Sequence, residues 1–370
     1  MTAAAQRVTI AVLEGDDIGP EVVAATVEVL EQAARIRGVA IDWEWLPSGT
    51  AAVREHGSTL PDAVVARLRE IPGWILGPVG HHAYPMGDLR FRNPSGYLRK
   101  NFELYSNVRP SRSWPGVASV SDAVDLVIVR ENTEGFYADR NVLDGNGEFR
   151  PDEDMVISLR VVTRRASMRV ARQAFELARY RGRHRKVTAV HKANVLRRGD
   201  GLFLACCREV AAEYSDIKLD DFLVDAFAMR LITRPAEHDV IVTTNMFGDI
   251  LSDASAGLVG GLGLAPGLNI GEDHAMAQAV HGSAPDISGR GIANPIAEIL
   301  SGALLFGWLG RGAGLGALRD AGHDIDAAVA RVLSARDRLT PDLGGTASTT
   351  ALTASIVTQL DSGATEAATA

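Results

Sequence analysis

Two aspartates four residues apart, Asp249 and Asp253, stand in the stretch His238–Gly257, HDVIVTTNMFGDILSDASAG. On a helix that spacing points both carboxylates from one face. Like charges so placed repel by roughly 0.2–0.5 kcal/mol in an isolated helix. A hard divalent cation reverses the sign, because Mg²⁺ and Mn²⁺ take a few carboxylate oxygens completed by water and substrate. The same pair could also be an exposed acidic helix face. Ahead of it, Val240-Ile241-Val242 is β-branched throughout and predicts a buried parallel strand. The carboxylates are therefore expected on a helix that leaves directly from a strand end.

Other chemistry-bearing residues share that position. Arg130 ends the apolar run Asp125–Val129, and it is followed by Glu131-Asn132-Thr133-Glu134-Gly135-Phe136-Tyr137. A strand-end arginine is well placed to fork onto a carboxylate, and Arg99 and Arg109 stand in similarly polar contexts. Each arginine alone could be a surface residue. Tyr137 could donate a proton, or simply pack with its hydroxyl capped. His191-Lys192-Ala193-Asn194 follows the strand Val187–Val190, and a lysine held near carboxylates can be tuned to move protons. Asp225, after Phe222-Leu223-Val224, could supply a third metal oxygen. Their common placement at strand ends makes one joint site the economical reading.

The elements that must position these groups alternate. Val8–Leu13 predicts a strand, Glu21–Arg35 a helix opened by Pro20, Ile41–Leu46 a strand, Pro61–Glu70 a helix and Trp74–Leu76 a strand. Strand and helix in alternation imply a mainly parallel α/β sheet, with ligands beyond the carboxyl ends of the strands. Phe136–Val162 differs: it is rich in Asn, Asp and Gly, then alternates, and predicts a hairpin arm. Gly257–Asn269 reads as a flexible small-residue segment, Asn294-Pro295 as the opening of a helix through Trp308, and the last nine residues as a disordered tail. Gly312-Ala313-Gly314-Leu315-Gly316-Ala317 fits a dinucleotide pattern but follows a helix rather than a strand, so it reads as a linker.

At 370 residues the chain exceeds what one core usually holds, and two domains are expected. A net charge of −8 without a basic stripe argues against nucleic acid. The basic run Arg179–Lys186 reads as a solvated helix end. Cys206 and Cys207 are adjacent, so both are expected as free thiols in a reducing compartment. The N-terminal stretch lacks the charged and apolar regions of a signal peptide, and no uncharged apolar run reaches the ~18 residues of a membrane span, so a cytoplasmic protein is expected.

Together GDDIGPE at 15–21, RENTEGFY at 130–137, HKANVL at 191–196, GDILSD at 248–253 and HGSAPDISGRGIANP at 281–295 closely resemble the metal-dependent β-decarboxylating dehydrogenases, the isocitrate, homoisocitrate and 3-isopropylmalate family. The resemblance covers about residues 7–360 in the family's order and spacing. It implies a doubly wound two-domain α/β fold without a standard Rossmann motif. The large domain would comprise 1–104 and 260–370, and the small domain 105–259 with a clasp-like β arm at about 136–162. It implies a homodimer or larger assembly with shared sites, Lys192 and Asp225 serving the neighbour and Asp249 and Asp253 their own subunit.

By the same resemblance Tyr137, Lys192 and Asp225 are catalytic, and Asp225, Asp249 and Asp253 hold Mg²⁺ or Mn²⁺. Arg99, Arg109, Arg130 and Asn194 bind the substrate. The segment His281, Gly282, Ser283, Ala284, Asp286, Ile287 and Asn294 resembles the adenosine loop. Asp286 sits where NAD-dependent members place the acid for the ribose 2′-hydroxyl, and Ile287 stands where an NADP pattern has Tyr, which favours NAD. The chain departs from the family at Asp17, where glycine is usual, and at Gln278, where a glutamate is common; His81 and His82 are unexplained and read as surface residues. The specificity segment before Arg99 carries Asn93 and Ser95, the isocitrate-type Ser/Asn pair reversed, where isopropylmalate enzymes place a leucine at the Ser95 position. An isocitrate-like hydroxy acid is therefore favoured, with 3-isopropylmalate and D-malate or tartrate types as alternatives. A non-catalytic regulatory subunit should have lost some of Tyr137, Lys192, Asp225, Asp249 and Asp253, and all five are present.

Overall fold

The β-branched and apolar runs of the sequence assemble into one ten-stranded sheet. The computed structural model describes residues 6–80, 84, 88–137, 147–312, 315–336 and 338–369. Its strands are β1 (Gln6–Leu13), β2 (Val39–Trp45), β3 (Gly73–Leu76), β4 (Ser106–Arg112), β5 (Asp125–Glu131), β6 (Glu148–Asp152), β7 (Met155–Ser158), β8 (Lys186–His191), β9 (Lys218–Leu223), β10 (Val240–Thr243), β11 (Leu268–Ile270) and β12 (Ala275–Ala277). The order across the main sheet is β2-β1-β3-β12-β11-β4-β5-β10-β8-β9, with β6 and β7 pairing apart. β2, β1, β3 and β12 run parallel, and β5, β10, β8 and β9 run parallel. Between the blocks, β11 and β4 join through antiparallel pairs. The doubly wound expectation holds, with an antiparallel seam at its centre.

Helices cover both faces: α1 (Gly19–Ile36), α2 (Gly49–His56), α3 (Asp62–Leu68), α4 (Pro94–Asn101), α5 (Arg164–Arg181), α6 (Gly199–Ala211), α7 (Val224–Thr233), α8 (Asn245–Leu258), α9 (Ile296–Leu309), α10 (Gly316–Ala335) and α11 (Thr349–Thr369). Period-two alternation assigns the strand faces. Ile10, Val12, Val108, Val127, Val129, Val240 and Val242 feed one continuous core on the face of α1, α5, α9 and α10. The other face is broken into two clusters. Ala11, Leu13, Trp74 and Met276 pack in one, and Leu126, Ile128, Val190 and Ile241 in the other. Between these clusters the same face of β4 and β11 carries Asn107, Arg109 and Asn269 instead of apolar groups. This gap in the hydrophobic layer is where the sheet can admit a polar ligand.

Several expectations need correction. Gly257–Asn269 is ordered: Leu258 ends α8, and Leu264 and Leu268 enter the cores, so the leucines between the small residues anchor the segment. The final residues continue α11 to Thr369, since alanine-rich chain propagates a helix already nucleated by packing. The basic run is not a merely solvated helix end. Arg181 pairs with Asp125 and with the fully buried Asp239, and Arg179 pairs with Asp216. Gly316 opens α10 after α9, as a linker reading of the glycine motif requires. The hairpin arm is present in β6 and β7, and both of these strands are exposed throughout. His81, His82 and the arm residues 138–146 lie outside the described residues.

Candidate active site

β4, β5 and α8 build the centre of the site. Asn107, Arg109 and Ser111 project from β4 on the face that α8 covers, and Arg130 projects beside them from β5. α8 can approach because Gly248 lies against Arg130: a Cβ at Gly248 would fall 2.6 Å from the Arg130 Cγ. Asn245 then fixes Arg130, its Oδ1 accepting from Nε at 2.9 Å and from Nη2 at 2.6 Å. Arg109 donates to Ser252 Oγ at 2.7 Å and to Asp249 Oδ1 at 3.1 Å, and it stands 3.5 Å from Asp253. Arg130 also pairs with Asp249, and the Tyr137 hydroxyl donates to Asp249 Oδ2 at 2.9 Å.

The two arginines are almost wholly buried, while Asp249 and Asp253 open to solvent. Burial lowers the Arg109 guanidinium to about 10, with the neighbouring Arg130 charge adding to the effect. Burial works to raise the Asp249 carboxyl, but Arg130 and Arg109 outweigh it and hold it below the usual carboxylate range. Asp253 moves the other way, raised by burial and by the Asp249 charge against the opposing effect of Arg109. The i,i+4 pair thus does share a helix face and does repel, and its oxygens suit a hard divalent cation.

The specificity segment closes one side. Asn93 caps α4, its Oδ1 accepting from the Gly96 amide at 3.1 Å. Ser95 and Arg99, one helical turn apart, both donate to Gln278 Oε1, at 2.7 Å and 3.0 Å. Gln278 is buried just past β12, and its amide nitrogen lies 3.4 Å from the Gly77 carbonyl. The Arg99 charge is felt at Asp249, which ties this cluster to the central one.

Lys192 and Asp225 stand elsewhere. Lys192 Nζ donates to Asp225 Oδ1 at 2.5 Å, and this bond is the main reason the Asp225 carboxyl is lowered. Lys192 is oriented through its backbone, whose amide donates to the fully buried Asp200 at 2.5 Å, and Asp200 in turn holds Arg160 at 2.5 Å. Asn194 is exposed nearby. Among the described residues no group of three metal-binding side chains forms, so Asp225 does not complete the Asp249/Asp253 pair within one chain.

The loop after β12 lies over the β1–α1 turn, where the Ile18 amide donates to the Ser283 carbonyl at 3.1 Å. In that turn Asp17 takes φ 54°, the left-handed conformation that Asp tolerates better than most residues. Its neighbour Asp16, 2% exposed, knots the turn by accepting from the Thr50 and Gly80 amides and from the Tyr84 hydroxyl. His281 bonds through Nδ1 to the Gly282 carbonyl while its buried Nε2 has no partner, an orphaned atom that a ribose or adenine group could satisfy. Ala284 adopts φ 45° and packs with Ile287 against the core, leaving Gly282 and Asp286 exposed. Asn294 uses both ends of its amide internally, with Asp342 and the Ile296 amide.

Asn245, Ser252, Asp200 and Arg160 are site-forming residues that sequence reasoning did not single out. Gln278 stands out in the sequence only as a departure. Asn245 and Ser252 had a usable signal, since they sit four before and three after Asp249 on the same helix.

The chain resembles known proteins along nearly its whole length. The family described as isocitrate/isopropylmalate dehydrogenase matches residues 9–360. The chain is 42% identical to the 3-isopropylmalate/3-methylmalate dehydrogenase of Methanocaldococcus jannaschii, over 92% of this chain and 95% of that one. It is 42% identical to the isocitrate/homoisocitrate dehydrogenase of Thermus thermophilus, over 95% and 98%. The crystal structure of isocitrate dehydrogenase from Methylococcus capsulatus superposes with a TM-score of 0.84 at 42% identity, covering 95% of this chain and 99% of that one.

Proposed function

This chain belongs to the isocitrate/isopropylmalate dehydrogenase family of oxidative decarboxylating dehydrogenases, and from that premise we propose that it acts on an isocitrate-like 3-carboxy-2-hydroxy acid, with NAD and Mg²⁺ or Mn²⁺. The observation that carries the substrate is the wall made by Ser95, Arg99 and Gln278. It offers hydroxyl, amide and guanidinium groups where an isopropyl substituent would need apolar contact, so a charged or polar substituent fits better. Relatives named for isocitrate, homoisocitrate and 3-isopropylmalate are almost equally similar, so similarity alone does not choose among them.

In this reading Arg109 and Arg130 take the substrate carboxylates, and Arg99 takes the third. Asp249 and Asp253 would hold the metal with Asp225 of a second copy of this chain. When bound, the metal would supply Lewis acidity at the hydroxyl and the nicotinamide would supply a hydride acceptor. Lys192 Nζ, again from the second copy, removes the C2 hydroxyl proton, and after CO₂ leaves the Tyr137 hydroxyl returns a proton to C3. Exposed apolar side chains support the second copy: Phe149, Val156 and Ile157 on the arm, Met229 and Ile232 on α7, and Ile250 on α8. His281, Ser283 and Asp286 would hold the adenosine end of NAD, with the Asp286 charge disfavouring a 2′-phosphate. Two buried free cysteines fit a reducing, cytoplasmic setting, and no helix among the described residues is long and apolar enough to cross a membrane.

The test is a panel of isocitrate, homoisocitrate, 3-isopropylmalate, D-malate and tartrate with Mn²⁺ and either NAD or NADP, followed by the absorbance of the reduced nicotinamide. Preferred turnover of a tricarboxylate with NAD is expected. Preference for 3-isopropylmalate would overturn the reading of the Ser95 wall.

A further inference from the structure

A cavity of about 260 Å³ lies behind the active site, against the opposite face of β4. Val108, Pro110 and Arg112 line it, alternating along the strand with Asn107, Arg109 and Ser111, which face the site. β11 pairs with β4 only from Ser106 to Val108, so beyond that point no strand fills the space beside Pro110. α5, α9 and α10 supply the remaining walls, and Trp114 and Trp308 bring large apolar surfaces. Cavities of about 150 Å³ already hold benzene, so this one has room for a bicyclic ring but not for a dinucleotide.

Its charges are unbalanced. Asp326 is held by Arg112 through two bonds of 2.9 Å, and Asp125 by Arg181 at 2.8 Å and Arg183 at 2.7 Å, so both acidic lining groups are already neutralised. Arg311 makes no side-chain hydrogen bond or ion pair among the described residues, and Arg319 reaches only Asp320, at 3.5 Å. An apolar interior with surplus guanidinium groups complements a flat hydrophobic body bearing one negative charge. We propose that this cavity is a second ligand site that takes a small aromatic carboxylate, its ring against the tryptophan-lined interior and its carboxylate toward Arg311 and Arg319.

Calorimetric titration of the purified protein with 2-naphthoate, and with 2-naphthamide as the neutral isostere, tests it. From ligand size, a dissociation constant of about 1 mM or tighter is expected for the acid, with the amide roughly tenfold weaker. Gly307 lines the cavity on α9, and a Cβ there meets nothing within 4 Å. Gly307→Leu should therefore start its side chain in open space, occupy the cavity and abolish naphthoate binding while dehydrogenase turnover persists. Arg311→Ala should bring the acid down to the affinity of the amide. Absence of saturable binding, equal affinity for acid and amide, or undiminished binding to Gly307→Leu would each overturn the proposal; the last would place the naphthoate elsewhere, the substrate arginines included.

Discussion

Gln278→Glu is the sharpest probe of the substrate wall, because it adds one charge without changing shape. The side chain is 7% exposed, and its Oε1 lies 3.0 Å from Arg99 Nη2. A carboxylate at that distance attracts the guanidinium with a gross energy of about 5–6 kcal/mol at an effective dielectric of 20. Desolvating the new charge takes back several kcal/mol, and its second oxygen would face the Gly77 carbonyl, which the Gln278 amide nitrogen now approaches at 3.4 Å. The net gain is that of a hydrogen bond to a charged group, about 1.5–3 kcal/mol. A substrate carboxylate must then compete with the introduced carboxylate for Arg99, which predicts a loss of roughly 10–100-fold in kcat/KM. Most of the loss should appear in KM, because in the proposed reading Arg99 would bind a carboxylate that takes no part in the bond changes. Steady-state kinetics on the preferred acid, with circular dichroism to verify folding, would measure it. A folded variant within twofold of wild type would refute the assignment of Arg99 to the substrate and of Gln278 to its orientation.

Other perturbations have equally definite outcomes. Asp249→Asn takes the paired carboxylate from buried Arg130 and leaves buried Arg109 only Asp253 at 3.5 Å, and it should destabilise the protein by about 3 kcal/mol in urea, with citrate partly restoring stability by taking over the arginines. Gly248→Ala would gain about 1 kcal/mol in an ordinary helix, yet its Cβ meets Arg130, so a net loss of about 1–3 kcal/mol is expected in the same assay. Glu298, fully buried on α9, bonds the Ala279 amide through one oxygen and leaves the other unpartnered, and burial raises it from 4.5 to about 8. Its folded-state value lies above its unfolded one, so the contribution of Glu298 to stability is fully present below pH 4.5 and is lost as pH rises to about 8. Glu298→Gln should flatten that decline by a few kcal/mol in denaturation curves across pH, leaving the smaller slope due to Glu134, which burial raises to about 7. Asp286→Lys should weaken NAD and shift preference toward NADP by at least about tenfold, read as the ratio of kcat/KM for the two cofactors.

What the sequence made legible follows from where each signal is stored. β1, β5, β8 and β10 are apolar runs buried on both faces, and they announce themselves. β4 does not, because its alternate positions are the site: Asn107, Arg109 and Ser111 replace the apolar half of the pattern, and Pro110 reads as a break. Pro110 is tolerated in the middle of the sheet because β11 has ended by Val108. β11 and β12 have three residues each, too few for any periodicity to register. The aspartate pair was legible because helical spacing is local, whereas the grip of Gln278 on Ser95 and Arg99 joins residues about 180 positions apart and leaves no mark in either segment. Asp249 shows the same division. Its spacing from Asp253 suggests a cation site, and only the fold reveals that two arginines now occupy its carboxylate. A hydroxy acid that brings its own carboxylates to Arg109 and Arg130 would release Asp249 toward a cation, so acid and metal should bind with mutual reinforcement.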